Sequence, residues 1–169
     1  MNLKPKEEPI QDEDRDTASK GSLLSPRRYG LIAGNGKFPL QVLEAARSQG
    51  VEVVVIAIKE EAFPQIASVG FTTHWISLGQ LGKLIQLLKR EGISQAIMAG
   101  QVKHKQIFSR IVPDMKLLKL LTSLGSRNTD SLIGGVAKIL EDEGIQLMDS
   151  TVFLKPLLPE PGVLTRRAP

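Results

Sequence analysis

The chain of 169 residues contains no cysteine. That excludes disulfides, a thiolate metal site and a cysteine nucleophile, and it suits a reducing compartment. Aromatic residues make up 4% of the sequence, with one Trp and one Tyr. Few rings are available for stacking bases and no dense basic stripe accompanies them, so nucleic-acid binding is not expected. No apolar run approaches the ~20 residues that a membrane-spanning helix needs. The N-terminus, MNLKPKEEPIQDEDRDTASK, has no apolar core of the kind a secretory signal requires. A cytoplasmic protein is expected. The pattern Gly-Lys-Ser/Thr is missing too, which removes the Walker phosphate loop.

Charge is close to balanced. The formal net charge is +4 and the pI is about 9.4. Residues 1–28 hold six acids and six bases, so the whole excess lies in 29–169, where 16 bases face 12 acids. This is a mild bias toward anionic ligands. Hydrophobic content of 41% and charged content of 24% are ordinary for a globular chain. The length allows one domain with a real core.

Residues 1–28 are polar and without periodicity, and read as a disordered tail. The acidic triplet Asp12-Glu13-Asp14 reads as a solvated cluster, not a metal motif. From Tyr29 the chain alternates between strand-like and helix-like segments. YGLIA at 29–33 is a strand; a helix over about 38–49 is closed by Gly50; VEVVVIAI at 51–58 is a second strand. Its unbroken β-branched run suits a strand covered on both faces, as in a parallel sheet. The stretch Lys59–Ser68 contains Pro64 and reads as a loop with a helical turn. A short strand at 71–77, a helix at about 79–91 and a strand at 95–99 follow. Two helices come next, over 114–125 and from Asn128 or Thr129 to about Glu143, then a short strand at 145–148. The fold class is α/β, Rossmann-like, with a largely parallel sheet flanked by helices. Residues 29–152 form the domain, and the proline-rich 153–169 reads as a linker.

Ligands in such sheets bind beyond the carboxyl ends of the strands, near the point where strand order reverses. Three segments end there: Gly34-Asn35-Gly36 after the first strand, the stretch with Gln80 and Lys83 after the third, and Gly100-Gln101-Val102-Lys103 after the fourth. Each combines glycine, which permits close backbone approach, with polar side chains. The first also leads into a helix N-terminus, where backbone N–H groups favour phosphate. A dinucleotide fingerprint is incomplete, since Pro39 stands where a third glycine belongs and Lys59 precedes Glu60 and Glu61 where a ribose-binding acid is wanted.

Acid–base chemistry is thin. His74 lies within a strand and reads as structural; His104, in Lys103-His104-Lys105, reads as part of a solvated basic loop. Asp130 suits a first helical turn, where a negative charge complements the dipole. Asp149 could face the crevice, but a lone carboxylate is not a mechanism. No nucleophile–base pair and no metal cluster is evident. The amphipathic stretch Pro113–Gly125, with Lys116 and Lys119, reads first as core packing and second as a lipid-contacting face.

GLIAGNGKFPL at 30–40, GQLGKLIQLLKREGI at 79–93, IMAGQV at 97–102 and the closing DST…PE-PGVLTRRAP at 149–169 together resemble the N-terminal part of the LpxI-type UDP-2,3-diacylglucosamine pyrophosphatases. The resemblance covers 29–169 and implies a bacterial lipid A hydrolase. Such enzymes split UDP-2,3-diacylglucosamine into 2,3-diacylglucosamine 1-phosphate (lipid X) and UMP. It also implies a divalent metal, usually magnesium, and a peripheral place on the cytoplasmic face of the inner membrane. A Rossmann-like domain and a C-terminal domain with the catalytic aspartate would hold the product between them. The family motif M-A-G-G-V reads here Met98-Ala99-Gly100-Gln101-Val102. The chain stops at Pro169, where the family continues into its second domain, so the expectation is a substrate-binding half that is inactive alone. Expected partners are lipid X or UDP-2,3-diacylglucosamine, the absent domain, a membrane surface and a second copy in a homodimer. The alternative is a non-catalytic nucleotide-binding or regulatory module; a plain NAD(P) oxidoreductase is disfavoured by the broken fingerprint.

Overall fold

A computed structural model describes residues 28–102, 112–124 and 128–154. The tail before Arg28, Lys103, His104 and most of the closing segment lie outside the described residues. The elements run β1 (Arg28–Ala33), α1 (Phe38–Ser48), β2 (Glu52–Ile58), a 3-10 turn (Pro64–Val69), β3 (Thr72–Ile76), α2 (Leu81–Arg90), β4 (Gln95–Ala99), α3 (Met115–Ser123), α4 (Thr129–Asp142) and β5 (Gln146–Met148). The strands form one sheet in the order β3-β2-β1-β4-β5. Every pairing is parallel. The α/β, Rossmann-like class expected from the alternation is therefore observed.

Handedness places the helices. From β1 the chain steps one way to β2 and β3, then returns across β1 to β4 and β5. Right-handed crossovers then put α1 on one face and α2, α3 and α4 on the other. Alternate side chains of β1 split accordingly. Leu31 and Ala33 pack with Val42 and Leu43 of α1, while Ile32 packs with Leu84 and Leu88 of α2. Coverage on both faces explains why β2 is buried from Val53 to Ile58.

The packed unit runs past residue 152. Phe153 is 5% exposed, and its ring meets Tyr29 edge-on with centroids 5.2 Å apart. Gln49 Nε2 donates to the Phe153 carbonyl at 2.6 Å. Prolines after Phe153 hid this anchor, because a single buried ring leaves no periodicity to read.

One ionic cluster ties the three helices of the second face. Glu143, the C-cap of α4, accepts from Lys89 of α2 at 2.5 Å and from Lys116 of α3. The hydrogen bonds from Lys116 and then Lys89 hold its carboxyl at about 2, below the ordinary 4.5. A depressed carboxylate stabilises the fold above its unfolded value and loses that contribution as pH falls from 4.5 through about 2. Thermal melts of the wild type and Glu143→Gln should therefore differ at pH 7 and converge as pH approaches that lower value. A gap that stays constant across the range would contradict this assignment.

Candidate functional site at the carboxyl edge of the sheet

The strand order reverses between β1 and β4, so the crevice of this sheet opens there. The two loops bordering it are joined directly. Gly34 N–H donates to Ala99 O at 2.8 Å, extending the ladder past the last paired residues. Beyond that, Asn35 and Gln101 exchange backbone hydrogen bonds, Asn35 N–H to Gln101 O at 2.7 Å and Gln101 N–H to Asn35 O at 2.9 Å. Gln101 thus serves the crevice edge through its backbone, and its side chain is exposed. The loops sit so close that glycine is required at Gly34 and Gly100. A Cβ on Gly34 would lie 2.6 Å from Gln101 O, and one on Gly100 would lie 2.6 Å from Asn35 O. The side of each glycine that faces the neighbouring loop is thus filled by that loop's backbone. Gly36 differs, since a Cβ there would meet nothing within 4 Å.

The third segment is built around Asp114. Its Oδ1 caps its own helix by accepting from Leu117 N–H at 2.9 Å. Its Oδ2 accepts from Gly82 N–H at 2.6 Å, so a protein carboxylate already occupies the N-terminus of α2. Asp114 N–H donates to Gly79 O at 2.9 Å. Gln80 turns its Oε1 back to Ser77 N–H at 3.0 Å. Lys83 is exposed on the surface of α2.

Behind the crevice lies an apolar slot of about 90 Å3 between the sheet and the three helices. Ile32, Ile76, Leu84, Met98, Leu117 and Val136 contribute to its wall. Gln80 is its single polar lining residue among the described residues. A recess of about 420 Å3 continues from it past Gly34, Gly100, Gln101 and Thr129. Ile32, Ile58, Met98, Val102 and Ile133 border both spaces. Through these shared residues the slot is open to the recess. A well-packed core would close it, so its place at the ligand-binding edge is informative.

The expected residues therefore fall into groups. Gly34, Gly100, Gln101 and Val102 lie together at the recess, with Asn35 bonded to Gln101. Gln80 borders the slot, whereas Lys83 borders neither space. Thr129 and Ile133 of α4 were missed; the signal available was the Asn128 cap, whose side chain accepts from Ser131 N–H at 2.7 Å. Other candidates serve structure. His74 bonds Glu91 at 2.9 Å, at the far end of α2. Asp149 accepts from Thr151 N–H at 2.7 Å and closes a turn after β5. Glu60, placed where a ribose-binding acid belongs, accepts from Leu78 N–H at 3.0 Å. Among the described residues no group of three His, Asp or Glu side chains comes together to hold a metal ion. No described helix is long and apolar enough to cross a membrane.

The chain is similar to several known proteins. The UDP-2,3-diacylglucosamine pyrophosphatase LpxI of Caulobacter vibrioides is 29% identical over 124 residues, covering 72% of this chain and 43% of that protein. The chain thus spans less than half the length of this curated relative. Among solved structures, the NAD complex of Thermus thermophilus UDP-glucose 4-epimerase has a TM-score of 0.48 at 13% identity, covering 71% of this chain and 36% of that one. The Bordetella bronchiseptica enzyme WbmG in complex with NAD also scores 0.48, at 16% identity, covering 77% and 39%. Both likenesses are too loose to carry a functional argument, and the fold class rests on the sheet itself. A family model described as the LpxI N-terminal domain matches residues 28–157. By that match, which spans most of the chain, this protein belongs to the LpxI family through its N-terminal domain.

Proposed function

We propose that this chain is the substrate-binding half of a lipid A hydrolase that splits UDP-2,3-diacylglucosamine into lipid X and UMP. The observation that carries the reading is the apolar slot opening, at the switch point, into a wider recess where the Gly34 and Gly100 loops, Gln101 and Thr129 bring polar groups beside apolar walls. An amphiphile with acyl chains beside a phosphorylated sugar matches that pairing. The slot takes the first methylenes of one acyl chain. The loops Gly34–Gly36 and Gly100–Val102 border the phosphate and sugar, with Gln80 at the boundary and Lys83 supplying charge from outside the recess. Among the described residues no three His, Asp or Glu side chains come together for the divalent metal that such an enzyme would use. The bond-breaking chemistry belongs to the catalytic aspartate of a second domain.

Titration of the isotope-labelled chain with lipid X should shift the amides of Asn35, Gln80 and Gly100 and the methyls of Ile133. Unchanged signals at Asn35 and Gln80 would overturn the reading, and so would metal-dependent UMP release by the 169-residue chain alone.

A membrane surface is the natural source of such a substrate. Val112, just before α3, is 89% exposed, and Met115 and Leu118 on the helix are 69% and 43% exposed, with Lys119 exposed beside them. This face suits an anionic bilayer. Flotation with phosphatidylglycerol vesicles, but not with phosphatidylcholine vesicles, is the expected result, and equal recovery from both would remove the charge argument.

A further inference from the structure

We propose that helix α3 is a lid on the apolar slot and that Asp114 is its latch. This rests on reading the slot as the acyl-chain site. As it stands the slot measures about 90 Å3. That is smaller than the roughly 150 Å3 cavity that admits a benzene ring. In this form it takes the first methylenes from the recess side, and more of an acyl chain enters only if one wall gives way.

The walls are unequal. The sheet wall is the buried centre of the fold, and α2 buries Leu81, Leu84, Ile85, Leu87 and Leu88 against it. Helix α3 buries two residues, Leu117 and Leu120. Leu117 is its one residue on the slot wall. Leu120 seats against Gly135 of α4, where a Cβ would come within 2.5 Å of Leu120 Cδ1. The opposite side of α3 is exposed at Met115 and Leu118.

Leu121 and Leu124 pack against the same core only in part, and the remaining attachment is polar and sits at the two ends of the neighbouring helices. Lys116 reaches Glu143 at the end of α4. Asp114 reaches the start of α2, accepting from Gly82 N–H at 2.6 Å while its own N–H donates to Gly79 O at 2.9 Å. The seat for this clip has no side chains in it. A Cβ on Gly79 would collide with Val112 O, and one on Gly82 would lie 3.1 Å from Asp114 Oδ2. Asp114 does not line the slot itself and acts as a positioning residue. Releasing Gly82 frees the first turn of α3 and lets Leu117 swing off the slot. The same carboxylate also caps Leu117 N–H, so latch and lid share one side chain.

Hydrogen exchange and stopped-flow binding on the full chain test this, with monododecyl phosphate as the probe and inorganic phosphate as its headgroup control. In Asp114→Ala, loss of the cap should raise exchange of the α3 amides about tenfold, with β1 and β4 unchanged. Monododecyl phosphate should associate about tenfold faster than with wild type, and inorganic phosphate should protect neither protein. Asp114→Asn keeps one carbonyl for the Leu117 cap and should fall between the two; it serves as the test variant if the alanine form does not fold. Unchanged exchange in α3, or a rise spread equally over β1 and β4, overturns the lid. Equal association rates in wild type and variants overturn the latch while leaving the acyl site standing. Failure of monododecyl phosphate to bind any of the proteins overturns the acyl site and the lid with it.

Discussion

Gly100→Val is expected to destabilise the domain by about 4 kcal/mol, a large part of the roughly 5–15 kcal/mol that domains commonly have. Two independent penalties add. Gly100 has φ +91°, outside the range that side chains with a Cβ adopt comfortably, which costs roughly 1–2 kcal/mol. A Cβ there would also lie 2.6 Å from Asn35 O and 2.8 Å from Gly34 C, and these are backbone atoms that cannot rotate away. Forcing such contacts apart costs about 1–3 kcal/mol, and here it breaks the Asn35–Gln101 pairing as well. Gly36→Val separates the two penalties. Gly36 has φ +105° but nothing within 4 Å, so only the conformational cost of about 1–2 kcal/mol applies. Urea titrations of both variants check the difference. Equal losses would show that the loop contact contributes nothing.

Val136→Trp is expected to weaken binding of monododecyl phosphate about a hundredfold. Val136 borders the slot but not the recess, so an indole there fills apolar space and leaves the loops alone. Displacing three or four methylenes at about 0.8 kcal/mol each gives roughly 3 kcal/mol, or about two decades in Kd. The added bulk strains the core by roughly 1–3 kcal/mol, so the variant is first shown to be folded by its cooperative melt. A folded Val136→Trp protein that binds monododecyl phosphate as tightly as wild type would place the alkyl chain elsewhere.

Much of the architecture was legible because local pattern and burial agree. VEVVVIAI could satisfy its β-branched run only between two layers, and β2 is buried on both faces. The apolar positions Leu81, Leu84, Ile85, Leu87 and Leu88 recur at helical spacing, and they form the inner face of α2. Asn128 was one of two expected caps, and its side chain performs that role. The glycines after β1 and β4 were visible as turns, but their cause was not. Gly34 and Gly100 make room for each other's loops although they lie far apart in sequence, and no local window contains both partners. Phe153 was hidden for the same reason, since its partner Tyr29 lies at the other end of the domain.

By itself the sequence determined the parallel sheet, its helical cover and the family to which the domain belongs, because short-range periodicity and residue type carry that information. Only the tertiary structure decided how the carboxyl edge is used. It paired Asn35 with Gln101, set Asp114 on the N-terminus of α2 and left an apolar slot among residues from several elements. Each of these depends on long-range backbone contacts and on how closely helices settle on the sheet, which are properties of packed surfaces and not of any one stretch of chain.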